Sequence, residues 1–390
     1  MNGTIAVVMA ALVAVLAAIG LLTGKDDSGE GGGRARPATP PIASIARGVE
    51  RVRQLRFDHL PRVQHVTGAQ ARAAGLAELD RETPRRALRS EQRMLKLLGL
   101  LPAGADLRGL LGKALASEVG GFYVPRTGRL AIVDGFGTGL TGKIALAHEL
   151  THALEDQHFG IEGRPWNSFE RDRSSADGAF KEGTATIAMV DYVVLDQTGR
   201  ARVPASLRAR ALGALDQAVV PESSGLPRYL RENLVFPYAA GARLVNHVQG
   251  RGGWAAVNRG FGSRAPVSTE QVMHPAKYDS RERPVRVRVA APAGTRLVEA
   301  GDFGEFDTEQ LLREANGEER AGRAAAGWGG GGFALWRRRD GRYGLSMRWV
   351  WDTPRDGREF AAAARRVAQR LNGAAVSGSD KAIELRVAPR

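Results

Sequence analysis

Apolar residues recur at helical spacing over residues 42–56 and again over 85–98, with arginines between them, which predicts that the folded part opens with amphipathic helices. Short apolar runs follow. Residues 121–124 (Gly-Phe-Tyr-Val) and 129–133 (Arg-Leu-Ala-Ile-Val) flank Pro125-Arg126-Thr127-Gly128, a turn signature, and predict a β-hairpin. Helical periodicity returns in at least four segments between residues 142 and 261. The last third changes character: residues 285–289, 333–337 and 343–351 alternate like strands, and 358–371 reads as an amphipathic helix. The glycine run 327–332 lacks the strand-to-helix setting of a phosphate loop and reads as a plain loop. Four tryptophans of this region, Trp328, Trp336, Trp349 and Trp351, fit a core or a partner-binding surface.

Ahead of these elements, residues 5–22 form an uninterrupted apolar run, about the length of a bilayer-crossing helix. A Gly/Pro/Arg stretch to residue 41 follows it like a linker. Because the run is long and a tether follows it, membrane anchoring with an extracytoplasmic domain is expected over a cleaved signal peptide and secretion, although no Lys or Arg precedes the run. The expected organisation is an anchor at 1–24, a linker at 25–41, a main domain at 42–282 and an appendage at 283–390. The fold class is α+β: a mainly helical domain with a small sheet just before its central helix, and a small C-terminal α+β region.

Composition removes several function classes. The net charge of +14 would suggest nucleic acid, but only 7 of the 56 basic residues are lysines and the arginines form no stripe with aromatics, so no nucleic-acid partner is expected. The absence of cysteine excludes disulfides, thiolate zinc sites and cysteine nucleophiles. Any metal must sit on His, Asp or Glu.

Histidine is rare, and three of the seven fall at 148, 152 and 158. His148 and His152 are four apart in His148-Glu149-Leu150-Thr151-His152, so their rings leave one helix face a turn apart and can reach one ion. Glu149 lies about 100° round the helix, where it can reach a water rather than the metal. A single zinc ion with two histidines needs a third protein ligand and an open position. The metzincin spacing is absent after His152. A glutamate on a second helix would serve, and Glu182, in an apolar helical stretch beside Gly183, is the candidate, with Asp177 and Asp191 in reserve. Residues 147–159 and Glu182-Gly183-Thr184-Ala185 resemble the gluzincin zinc peptidases, especially a set of bacterial membrane-anchored members, over roughly residues 85–280.

That resemblance implies a zincin-like domain that hydrolyses protein or peptide substrates, with a strand before the metal helix holding the substrate backbone; residues 129–133 are so placed. Members often carry an acidic residue where Thr184 or Thr186 stands here, which leaves the support of a histidine unassigned. Zinc on His148, His152 and Glu182 would activate water, Glu149 would be general base, and His274, in the segment 268–278, or Tyr238 would stabilise the oxyanion. The contrasting expectation is a membrane-anchored metal-binding scaffold without turnover.

Overall fold

The computed structural model describes residues 42–117, 120–134, 139–200, 203–216, 224–371 and 373–389. The chain is α+β, as its patterning implies. Helix α1 (Ile42–Arg53) leads into β1 (Arg62–Val66), α2 (Gly68–Glu82), α3 (Arg85–Leu97) and α4 (Leu107–Ser117). The expected hairpin follows as β2 (Gly121–Val124) and β3 (Arg129–Val133), joined by a 3-10 turn over Pro125–Thr127 that closes at Gly128 with a left-handed φ of 63°.

These strands form a sheet in the order β1-β3-β2, with β1 parallel and β2 antiparallel to β3. Residues 129–133 are therefore the central strand, with both edges used, and cannot accept a substrate backbone as expected. Among the described residues the edge strand against the next helix is β2.

That helix is α5 (Leu140–Phe159), which packs with α6 (Arg171–Thr198) and α1. After α7 (Ala205–Asp216), the long helix α8 (Arg228–Arg259) crosses α6. The crossing is so close that a Cβ on Gly183 would lie 2.3 Å from the carbonyl oxygen of Gly241, and one on Gly241 would lie 1.9 Å from that of Ala179. Gly183 thus admits α8 beside Glu182. Leu130, Ile144, Leu150, Leu154, Ile187 and Val245 share the core among these elements.

Two short helices, α9 (Thr269–Met273) and α10 (Pro275–Ser280), follow, with His274 between them. The C-terminal part builds β4 (Arg296–Asp302), α11 (Glu305–Asn316), α12 (Glu318–Ala325), β5 (Trp328–Arg337), β6 (Tyr343–Trp351), α13 (Pro354–Arg370), β7 (Ala374–Ser379) and β8 (Ala382–Val387). Its sheet runs β4-β5-β6-β8-β7 with all neighbours antiparallel. The second core draws on both sides of residue 283, joining Leu95, Leu107 and Tyr229 to Phe303, Trp349 and Phe360. All four tryptophans of this region are buried.

Two local expectations change. The glycines at 329–332 lie within β5, because the strand must pass backbone at a distance no side chain tolerates: a Cβ on Gly331 would meet Phe303 O at 2.4 Å and one on Gly332 would meet Val287 O at 2.5 Å. Residues 285–289 are no ladder strand but an extended connection on that glycine surface, where Val285 N–H donates to Gly329 O at 2.7 Å.

The expected anchor at 5–22 and linker at 25–41 lie outside the described residues. Among the described residues no helix is long and apolar enough to cross a membrane. The reason is visible in the two longest, where Asp177, Lys181, Glu182 and Asp191 interrupt α6 and Arg231, Glu232, Arg243 and Arg251 interrupt α8. The expectations of a membrane partner and of a membrane-anchored location are corrected on this finding.

Replacing Gly241 with Ala forces α6 and α8 apart, and the variant should lose about 3 kcal/mol of stability. A urea unfolding midpoint equal to wild type would refute the close crossing.

Candidate metal centre

Helix α5 is lined with Ile144, Ala145, Leu146, Ala147, Leu150, Ala153 and Leu154, all buried, so the helix runs through the core and takes its polar residues with it. His148, Glu149, His152 and Glu155 are each at most 4% exposed. Groups this polar are costly to bury unless they serve one another or a ligand. Glu182, 3% exposed, enters from α6 and meets both histidines.

Three atoms converge. Glu182 Oε2 lies 3.1 Å from His148 Nε2 and 3.4 Å from His152 Nε2, and the two Nε2 atoms are 3.1 Å apart. Donors about 2.0–2.1 Å from a tetrahedral ion stand about 3.3 Å from one another. The triangle matches one face of that tetrahedron, and the three residues could hold a metal ion. The reserves do not: Asp177 is paired with Lys181 at 2.7 Å, and Asp191 is clamped by Arg208 at 2.9 and 2.7 Å.

Charge balance supports a divalent cation. Glu149, Glu155 and Glu182 are buried with one guanidinium, Arg53, which is fully buried as well. With the imidazoles neutral and all three carboxylates ionised, against the upward push of burial on Glu149 and Glu155, that would be three negative charges against one positive, an excess that a doubly charged ion would offset. Without an ion the residues compensate through protons. Against burial, which favours the neutral forms, Glu182 raises His152 to about 9, and the histidines hold Glu182 at about 2. Burial pushes His148 down and Glu149 up to about 7.

Glu149 is aimed by the neighbouring strand. The outward backbone N–H of Tyr123, on the β2 edge, donates to Glu149 Oε2 at 2.7 Å, and the Tyr123 hydroxyl donates to Asp156 Oδ2 at 2.8 Å. Strand and helix are thereby locked in register. Glu149, His152 and Glu182 line a cleft that also takes in Tyr123, Phe236 and Tyr238. The Tyr238 ring is 6.0 Å from that of His148, centre to centre.

His274 is not among the side chains lining this cleft. Its Nε2 lies 2.8 Å from Glu305 Oε1, and that carboxylate raises the imidazole above its ordinary value. The oxyanion role expected for it finds no support in this placement. His158 supports the N-terminal segment, bonding Arg56 O at 2.7 Å.

Two residues that the motif search passed over stand behind the histidines. Glu155 Oε2 is 4.0 Å from His152 Nδ1, and Glu155 Oε1 accepts from Arg53 Nε at 3.0 Å. The i,i+3 spacing from His152 to Glu155 was a usable signal; Arg53, 102 residues away, offered none. Thr184, by contrast, spends its hydroxyl on Phe180 O at 2.8 Å in its own helix.

Comparison with known proteins adds little to this geometry. Residues 294–389 match the model of a family described as a domain of unknown function (DUF8575). No curated protein matches the chain. A solved structure from Chloroflexus aurantiacus, described as "a putative hydrolase with a novel fold", is similar at 18% identity and a TM-score of 0.36, covering 70% of this chain and 97% of that one.

If the three residues hold a metal ion, a metal ion that binds there, with zinc as the probe, should raise the unfolding free energy by about 2.7 kcal/mol at a hundredfold excess over its Kd. Calorimetry that finds His148→Ala and wild type equally stabilised by zinc would refute the assignment.

Proposed function

We propose that this chain is a zinc-dependent peptidase, with His148, His152 and Glu182 as ligands and Glu149 as general base. The observation that carries the reading is the convergence of three buried donor atoms within 3.4 Å beside a carboxylate that opens on the same cleft. Zinc is favoured over other ions because two imidazoles and one carboxylate, with no thiolate, suit a catalytic site that keeps one position open. When bound, zinc supplies Lewis acidity, which polarises a carbonyl and acidifies a water.

The chain's own residues do the rest. Glu149, held at Oε2 by the Tyr123 N–H, takes a proton from the attacking water and carries it to the leaving amine nitrogen as the carbon–nitrogen bond breaks. Water is added across the bond, and the carboxylate ends as it began. Tyr238, on the cleft wall beside His148, is positioned to stabilise the developing oxyanion. Tyr123 and Val124 of β2 line the cleft and are placed to contact a bound substrate, although the Tyr123 N–H is itself spent on Glu149.

Glu149→Gln should lower kcat for peptide hydrolysis at least 100-fold while leaving zinc content unchanged. Hydrolysis by that variant at the wild-type rate, assayed on a denatured protein and a mixed peptide library, would overturn the reading. Tyr238→Phe is expected to lower kcat by about 10- to 100-fold with KM little changed; a rise in KM alone would make Tyr238 a binding residue instead.

A further inference from the structure

Each ring nitrogen that faces an ion must present a lone pair, so the proton of a ligating imidazole sits on the other nitrogen and needs an acceptor. For His152 that other atom is Nδ1, which is buried and has no hydrogen-bond partner. Glu155 Oε2 is likewise buried and without a partner, and the two atoms face each other at 4.0 Å. A donor and an acceptor, both buried, are thus left over 4.0 Å apart, one small side-chain rotation from a hydrogen bond.

Glu155 is fully buried, and a carboxylate there stays charged only beside a cation. Arg53 is that cation. Its Nε donates to Glu155 Oε1 at 3.0 Å, its Nη2 donates to Asn258 Oδ1 at 3.1 Å, and its guanidinium lies 4.3 Å from the centre of the Trp254 ring. Three contacts from three directions fix a side chain that has no access to solvent.

We propose that Glu155 and Arg53 are positioning residues for the metal: Glu155 accepts the Nδ1 proton of His152 and turns its Nε2 toward the ion, and Arg53 keeps Glu155 in place for this. The inference rests on the metal reading of the site. Glu155 supplies, from the metal helix itself, the acidic support that Thr184 and Thr186 do not. Because Arg53 ends α1, the seating of that helix on α5 and α6 is coupled to zinc affinity.

The test separates positioning from packing. Replacing a buried ion pair with apolar residues of similar volume is commonly neutral or stabilising, so the double variant Arg53→Met, Glu155→Leu keeps the fold if the pair is only structural. Zinc affinity of the full chain is then measured by chelator competition, with thermal unfolding of the zinc-free protein as the check on folding. The double variant is expected to bind zinc about 10- to 100-fold more weakly than wild type. Glu155→Gln, which preserves shape and an acceptor for Arg53, should fall between the two and decides the matter if the double variant does not fold. Wild-type zinc affinity in either folded variant overturns the proposal. A wild-type chain that takes up no zinc removes both this proposal and the metal site, whereas zinc uptake without peptide hydrolysis removes the peptidase reading alone.

Discussion

Burial of charge in the middle of a helical layer is the constraint on which the rest of the structure depends. Glu149, Glu155, Glu182 and Arg53 are withdrawn from water together with two imidazoles. Such groups are tolerated only when opposite charges and hydrogen bonds meet them in fixed positions. The fold is arranged to provide those positions. Helix α1 brings Arg53 behind α5, β2 brings the Tyr123 N–H to its front, and α6 brings Glu182 across it. Each contact ties a distant segment to α5, so the site is also the junction of the main core.

Packing sets how closely those segments can come. The Gly183–Gly241 crossing lets α8 lie against α6 backbone to backbone one residue from Glu182, and it carries Phe236 and Tyr238 to the cleft. The C-terminal sheet acts at longer range. Residues of its glycine-lined β5, with Trp328, Trp349 and Trp351, form a second core that reaches back to Leu95 and Tyr229, and Glu305 of α11 contacts His274. The appendage is joined to the main domain by shared interior.

Much of the site was legible from sequence because its signals are local. His148 and His152 share one helical face, and their apolar surroundings announce burial. Glu182 was found by its own helical context. The partners that fix these groups were not legible, since Arg53 and Tyr123 carry no spacing relation to α5 and are brought to it by the fold alone. The partner of His274 was not legible either, since Glu305 lies 31 residues on and is brought to it by the fold. The glycines of β5 read as a loop because strand patterning is written in side chains, and here their absence is what the packing requires. The apolar run at 5–22 was read from length and composition, and no helix among the described residues supports a membrane span.

The central claim is that the buried charge is completed by a divalent ion on two imidazoles and a carboxylate. X-ray absorption at the zinc edge on the zinc-loaded full chain tests it most directly. The result expected is a first shell of nitrogen and oxygen at about 2.0–2.1 Å, with outer-shell scattering from two imidazole rings. A shell of oxygen alone, without imidazole scattering, would contradict it.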